Sequence, residues 1–230
     1  MFYDHEVQER KLNEHPMNIT LPPQSICQEH MYEYLAVRNI DEAVTRANGW
    51  YESARAVDTF IRIVIPCVTH KAGHKYFQAR DTTGKAHLKY QSPKGPRHEA
   101  LVRMLPLKRA KGTVVVEGAF CAARAAMHGY IAYALMGMMP SQATLLHLCL
   151  LIEDNKELPV LVLLDRDSGA AAVKVVTFIS SQGYNCRMGT FSKSKDLAEL
   201  PVKESANLLT RYFDEFSVSG KRMQKQKTIL

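Results

Sequence analysis

VVVEGAFCAARAAMHG, residues 114–129, is the stretch whose reading decides the fold. Three β-branched residues run into Glu117, Gly118 follows, and an alanine-rich segment continues to Gly129. β-branched residues favour strands and alanine favours helix, so the stretch reads as a strand, a turn and a helix over about 119–128. The strand is apolar at successive positions, as expected where both faces are buried. The alternation then repeats. IAYAL is followed by a helix from Ser141 to about Ile152, VLVLLD (160–165) by a helix from about Ser168 to Ser181, and then comes YNCRM. Apolar strands between helices predict a parallel sheet covered on both faces. A last helix over about 201–216 carries Val202, Ala206, Leu209, Phe213 and Phe216 as its docking stripe.

Upstream the pattern differs. Residues 25–48 read as two short helices. Tyr34, Leu35 and Val37 support the first; Asp41 caps the second and Asn48-Gly49 stops it. FIRIVIP (60–66), KYFQARD (75–81) and AHLKYQ (86–91) read as strands, with Asp81-Thr-Thr-Gly84 as a hairpin connection. The expected organisation is a polar arm over 1–24, a basic α+β lobe over 25–111, an α/β unit over 112–216 and a basic tail over 217–230. With 230 residues, 46% of them hydrophobic, the chain can bury a real core. No run approaches the roughly 20 apolar residues of a membrane span, and the polar N-terminus is not a secretory signal. Five cysteines without a CxxC pair argue against a disulfide framework. A cytoplasmic protein with no membrane partner is expected.

The formal charge of +7 is unevenly spread. Between Lys71 and Lys111 eleven Lys/Arg face two acids, a balance of +9, and the tail from Ser217 adds +4 through Lys221, Arg222, Lys225 and Lys227. The remainder is therefore acidic. Such a division points to a polyanion partner beside a separate cation site, or to a lysine-rich solvated surface.

In open parallel sheets ligands collect at the carboxyl ends of the strands. Glu117 ends one strand; Asp165 ends another, with Asp167 two residues on. Read as an extended segment, Asp165 and Asp167 point to one side, roughly 6–7 Å apart. Carboxylates gathered at one edge repel one another, by around 4 kcal/mol for a pair at 4 Å in an effective dielectric of about 20. Either a proton is taken up or a hard cation such as magnesium or manganese is bound. The alternative is that the two aspartates only cap the helix that follows.

Glu117-Gly118 at a strand end, followed by Asp165-Arg-Asp167-Ser-Gly169, resembles the Toprim domain of primases, topoisomerases and some nucleases. Lys195-Asp196-Leu-Ala-Glu199 resembles a further primase element. Tyr34-Leu35-Ala-Val-Arg38-Asn-Ile40, Arg62-Ile-Val-Ile-Pro66, Gln78-Ala-Arg80 and Lys89-Tyr90-Gln-Ser-Pro93-Lys94-Gly95 resemble, in order, segments of the bacterial and phage primase catalytic core. The resemblance spans about residues 25–200. It implies an α/β fold in which a Toprim-type parallel sheet, with helices on both faces, follows a smaller basic α+β lobe.

It also implies a primase-type RNA polymerase that joins ribonucleotides on single-stranded DNA. Glu117, Asp165 and Asp167 would be catalytic and, with Asp196, would hold Mg2+ or Mn2+. Arg80, Lys89, Lys94 and Lys195 would bind nucleotide or template phosphates. Tyr76, Phe77 and Tyr90 would stack bases or enter the core, the latter fitting Phe77. Two departures stand out. Cys121 occupies a position where primases carry an acid, and a thiol is a poor magnesium ligand; the alternative role is a small apolar residue under the helix. No cysteine precedes residue 25, so a zinc-binding template-recognition module would come from a separate protein, or initiation would be loosely specified. Cys67, His70 and His74 have a ligand-like spacing, but structural zinc sites close with four ligands. No phosphate-binding G-x-x-x-x-G-K-[ST] loop is present, so a replicative helicase would be a partner. A Toprim nuclease and a non-catalytic nucleic-acid-binding adaptor remain as alternatives.

Overall fold

The computed structural model describes residues 19–55, 58–69, 75–95, 100–137, 139–191 and 196–227, with the side chains of the last helix through Phe216. In chain order the elements are α1 (Glu29–Val37), α2 (Glu42–Ala47), β1 (Tyr51–Ser53), β2 (Arg62–Thr69), β3 (Tyr76–Asp81), β4 (Tyr90–Gln91) and β5 (Ala100–Met104). The second half continues with β6 (Thr113–Val116), α3 (Ala119–Met127), β7 (Ile131–Ala134), α4 (Gln142–Glu153), β8 (Val160–Val162), α5 (Gly169–Ser181), β9 (Cys186–Met188) and α6 (Val202–Lys227).

The strands form one sheet in the order β4-β3-β2-β5-β7-β6-β8-β9, with β1 added to β2. β7, β6, β8 and β9 run parallel to one another. The other pairings are antiparallel. β6 shows why its continuous apolar run is required. Val114 and Val116 face a core with α3 and α6, whereas Val115 faces one with α4 and α5. Helices thus cover both faces, as expected. β5 joins the two halves, because Leu101 pairs with Val68 of β2 while Val102 pairs with Ala134 of β7.

Local signals explain the ends of several elements. The Asp41 carboxylate accepts the Ala43 N–H at 2.8 Å and starts α2. Gly49, at φ +75°, takes the left-handed turn that ends it. Ser141 accepts the Thr144 N–H at 3.1 Å and starts α4. Gly112 is required for close approach, since a Cβ there would lie 2.1 Å from the Phe213 ring through which α6 docks.

Three expectations need correction. The strand expected over 86–91 shrinks to Tyr90–Gln91. The Asp81 carboxylate folds the connection back by accepting from Thr83 N and Thr83 Oγ1, and the buried Arg62 guanidinium takes the Leu88 carbonyl at 3.2 Å. The stripe of α6 is Ser205, Leu209, Phe213 and Phe216, whereas Val202 is exposed, because Ser205 is drawn inward by polar partners from α3. On α1, Met31 and Leu35 are buried and Val37 is exposed. All five cysteines are free, and among the described residues no helix is long and apolar enough to cross a membrane.

Candidate active site

Glu117 leaves the carboxyl end of β6 immediately before α3. Its Oε2 accepts a 2.6 Å hydrogen bond from Ser168 Oγ, which ties the ends of β6 and β8 together across 51 residues of sequence. Gly118, at φ −111° and ψ 152°, has backbone angles open to any residue. The left-handed turn lies instead at Met136 and Gly137, φ +56° and +70°, where the Gly137 N–H donates to the Glu117 carbonyl at 3.2 Å.

Asp165 and Asp167 do not lie on an extended strand. β8 ends at Val162, and the Ser168 N–H donates to the Asp165 carbonyl at 2.9 Å, so both aspartates sit in the turn into α5. Ser168 is the N-cap of α5 but makes no side-chain capping bond; its hydroxyl goes to Glu117. Asp167 shares a small cavity with Glu117 and Ser168.

Burial raises the Asp165 carboxyl to about 7, helped by the nearby charges of Glu117, Asp196, Asp167 and Glu199. Four carboxylates therefore act on a fifth, Asp165. Among the described residues, none of Glu117, Asp165, Asp167 and Asp196 makes a salt bridge. Asp196 reaches the edge from the loop before α6, where its Oδ1 accepts the Glu199 N–H at 2.9 Å. Cys121, in the first turn of α3, is buried there too. Its sulfur and one carboxylate oxygen each of Asp165 and Asp196 lie within 4.8 Å of one another. Burial, with Asp196 next, pushes the Cys121 thiol well above its usual range, so it is protonated at neutral pH.

A cleft of about 550 Å³ separates this edge from the basic half. Its lining combines Arg38, Arg80, Lys89 and Arg124 with Cys121, Asp196 and Glu199, while Glu117 and Asp167 line the neighbouring small cavity. Arg80 projects from β3 and is only 6% exposed. Its guanidinium lies 4.7 Å from the Tyr90 ring centre and 5.5 Å from that of Tyr34, which fixes its plane. Its Nε is buried without a hydrogen-bond partner. The Lys89 ammonium is held below its usual range, first by the charge of Arg80, then by burial and Arg38. Lys94 stands apart, in a second groove with Tyr76, Gln78 and Tyr90. Phe77 is buried in the core. Lys195, His70 and His74 fall outside the described residues.

Sequence reasoning left Arg38 and Glu199 out of the candidate site, although both sit in the quoted motifs. Their signal was a charge next to a cleft-lining motif, which becomes specific only when the cleft exists. It also missed Arg124. That fully buried guanidinium donates to Leu200 O at 2.7 Å and Arg38 O at 2.8 Å, holding the Asp196 loop against α1.

The donor set divides by hardness. Glu117, Asp165 and Asp167 offer only oxygen and suit magnesium or manganese. The high proton affinity of Asp165 marks a site short of positive charge. The Cys121 corner does not suit magnesium.

No family model and no curated protein matches this chain. Solved structures do. The RNA polymerase domain of Mycobacterium tuberculosis primase DnaG is 18% identical, with a TM-score of 0.56 over 86% of this chain and 81% of that one. The fold is that of a primase RNA polymerase domain. The Aquifex aeolicus primase, with zinc-binding and RNA polymerase domains, gives 20% identity and a TM-score of 0.59 over 80% of this chain and 55% of its own. The primase fragment of the bacteriophage T7 primase-helicase protein gives 15% and 0.55, covering 88% and 84%. In this primase-type fold the cleft is lined by Arg80 and Tyr90 from the antiparallel part of the sheet and by Cys121 and Arg124 from the helix that follows β6 in the parallel part, with Asp196 and Glu199 from the loop before α6.

Proposed function

We propose that this chain is a primase-type RNA polymerase core, with residues 112–216 as a Toprim domain and 25–111 as a basic lobe. It would make short RNA primers on single-stranded DNA from ribonucleoside triphosphates. The observation that carries the reading is the cleft itself. Arg38, Arg80 and Lys89, with the Arg80 Nε lacking a partner, line it together with Asp196 and Glu199, two of the carboxylates whose charge helps raise Asp165 to about 7. Each set is incomplete alone, and a nucleoside triphosphate with its metal supplies what both lack.

In nucleotidyl transfer a 3′-hydroxyl attacks the α-phosphorus, the bond to the bridging oxygen breaks and pyrophosphate leaves. Negative charge builds on the phosphoryl oxygens, so the requirement is electrostatic. Glu117, Asp165 and Asp167, with Asp196 beside them, would hold Mg2+ or Mn2+, which would supply charge neutralisation and an activated hydroxyl. Arg80 and Lys89 bind the triphosphate in the cleft, with Lys195 as a further phosphate ligand. Ser168 holds the Glu117 carboxylate in place. Lys94 contacts the template backbone from the second groove, where Tyr76 and Tyr90 offer ring surface for bases. A replicative helicase and a separate zinc-binding template-recognition protein are the partners such a core would use, in a cytoplasm.

The test is incubation of the chain with single-stranded DNA, labelled ribonucleotides and Mg2+ or Mn2+. Oligoribonucleotides that vanish in Asp165→Ala support the proposal. Shortened DNA would identify a nuclease using the same edge, and binding without either product an adaptor.

A further inference from the structure

The thiol at the acidic edge is absent from the mechanism above, yet it is built into the site. Cys121 is 4% exposed, and backbone N–H groups of Leu197 and Ala198 point at its sulfur. These come from the same loop that delivers Asp196. Asp165 arrives from the turn after β8. Three elements remote in sequence thus place one sulfur and two oxygens within 4.8 Å of one another. Tetrahedral coordination with bonds of about 2.3 Å to sulfur and 2.0 Å to oxygen brings such atoms to about 3.3–3.5 Å, a modest contraction.

We propose that Cys121, Asp165 and Asp196 form a cation corner for a borderline-soft divalent ion of the zinc class, distinct in preference from the all-oxygen set of Glu117, Asp165 and Asp167. Thiolate with carboxylates selects zinc, cobalt or cadmium over magnesium, which takes oxygen donors. Three protein ligands leave a fourth position open to water or a phosphate oxygen. The thiol proton departs to solvent when the ion binds. Asp165 belongs to both sets, so an ion in this corner withdraws a ligand from the magnesium set. A zinc-class ion would then compete with magnesium-supported synthesis. This consequence rests on the polymerase reading; the coordination itself does not.

The experiment uses the full metal-free chain titrated with Co2+, followed by absorption spectroscopy. A sulfur-to-cobalt charge-transfer band is expected, with visible bands of a four-coordinate ion. It should survive excess Mg2+ and be bleached by one equivalent of Zn2+. Cys121→Ser should lose the band and bind cobalt about tenfold or more weakly. Asp196→Asn, at a half-buried loop position, should weaken cobalt binding while keeping native circular dichroism. It carries the test if Cys121→Ser fails to fold. Cys121→Asp should bind cobalt with no sulfur band. A band that never forms, persists in Cys121→Ser or is removed equally well by Mg2+ would overturn the corner. Wild type that makes RNA without a sulfur band overturns this corner alone. A sulfur band with no RNA product overturns the polymerase reading alone.

Discussion

The two ends of α3 bury charge in opposite ways. At its C-terminal end Arg124 is fully buried and donates to Leu200 O, Arg38 O and Ser205 Oγ, while His128 Nε2 lies 2.8 Å from the same hydroxyl. At its N-terminal end Glu117, Asp165, Asp167, Asp196 and Glu199 crowd together, with Ser168 Oγ donating to Glu117 and the Glu199 N–H to Asp196. A buried charge supplied with acceptors fixes geometry. A cluster of like charges short of counter-charge costs stability and is retained where a ligand completes it. One helix therefore carries a latch at one end and a binding edge at the other.

The largest effect expected from breaking this contrast is on synthesis. Asp165→Asn should lower primer formation by about 10²–10³-fold or more, as loss of a group stabilising transition-state charge does. Its thermal midpoint at pH 7 without divalent ions should nonetheless rise. A stability loss in parallel with activity would assign Asp165 to the scaffold.

Arg124→Ala should do the reverse. It leaves buried carbonyls without their donor and should cost about 3–5 kcal/mol in urea denaturation. Retention of full stability would show that the Asp196 loop is held by other contacts.

The two ends should also oppose each other in pH. Asp165 is raised from 3.8 to about 7 by burial first, then by its acidic neighbours. The folded protein thus binds its proton more tightly, and stability falls as pH rises through that window. His128 is lowered from 6.5 to about 4, by burial first, then by Arg124 and Lys111. Its contribution is present above pH 6.5 and lost as pH falls toward about 4. Each amounts to on the order of 2–4 kcal/mol at the far end of its window, less what solvent contact screens. Thermal melts of metal-free wild type should therefore vary little between pH 4.5 and 6.5, where both titrations act. Asp165→Asn should gain stability with rising pH there, and His128→Gln should lose it. Parallel curves for all three proteins would refute the opposition.

A smaller effect is expected at the far side of the latch. Gly112→Ala drives a methyl into the Phe213 ring and should destabilise by about 1–3 kcal/mol. An unchanged denaturation midpoint would mean that α6 shifts freely.

Much of this was legible along the chain. The run 114–129, the helix starts at Asp41 and Ser141 and the start of the buried strand expected over 160–165 are set by neighbouring residues, and the structure reproduces them, with that strand ending early at Val162. β1 and β5 were not read as strands. ALVRM of β5 is short, and its two partners are β2 and β7, neither adjacent to it in sequence. AHLKYQ alternates well enough to suggest a strand, but Arg62 takes the Leu88 carbonyl and Asp81 the Ala86 N–H first. The α6 stripe holds at Leu209, Phe213 and Phe216, but its first turn buries Ser205 in place of Val202 and Ala206, because that serine meets Arg124 and His128, a preference that no apolar periodicity contains.

The sequence by itself determined which residues are chemically equipped, because residue type sets donor hardness, charge and local backbone preference. Glu117, Asp165, Asp167 and Asp196 were identifiable as acids next to strand ends or motif loops, and Cys121 as a thiol where resembling chains carry an acid. The tertiary structure alone decided which of them share a point in space. Distances within 4.8 Å among Cys121, Asp165 and Asp196 depend on the ends of two strands and one loop converging. That convergence comes from the parallel order of the sheet and from Arg124 holding the loop, and both are long-range packing events. A thiol that packs under a helix and one that stands against two carboxylates have the same sequence; burial beside charge is what separates them.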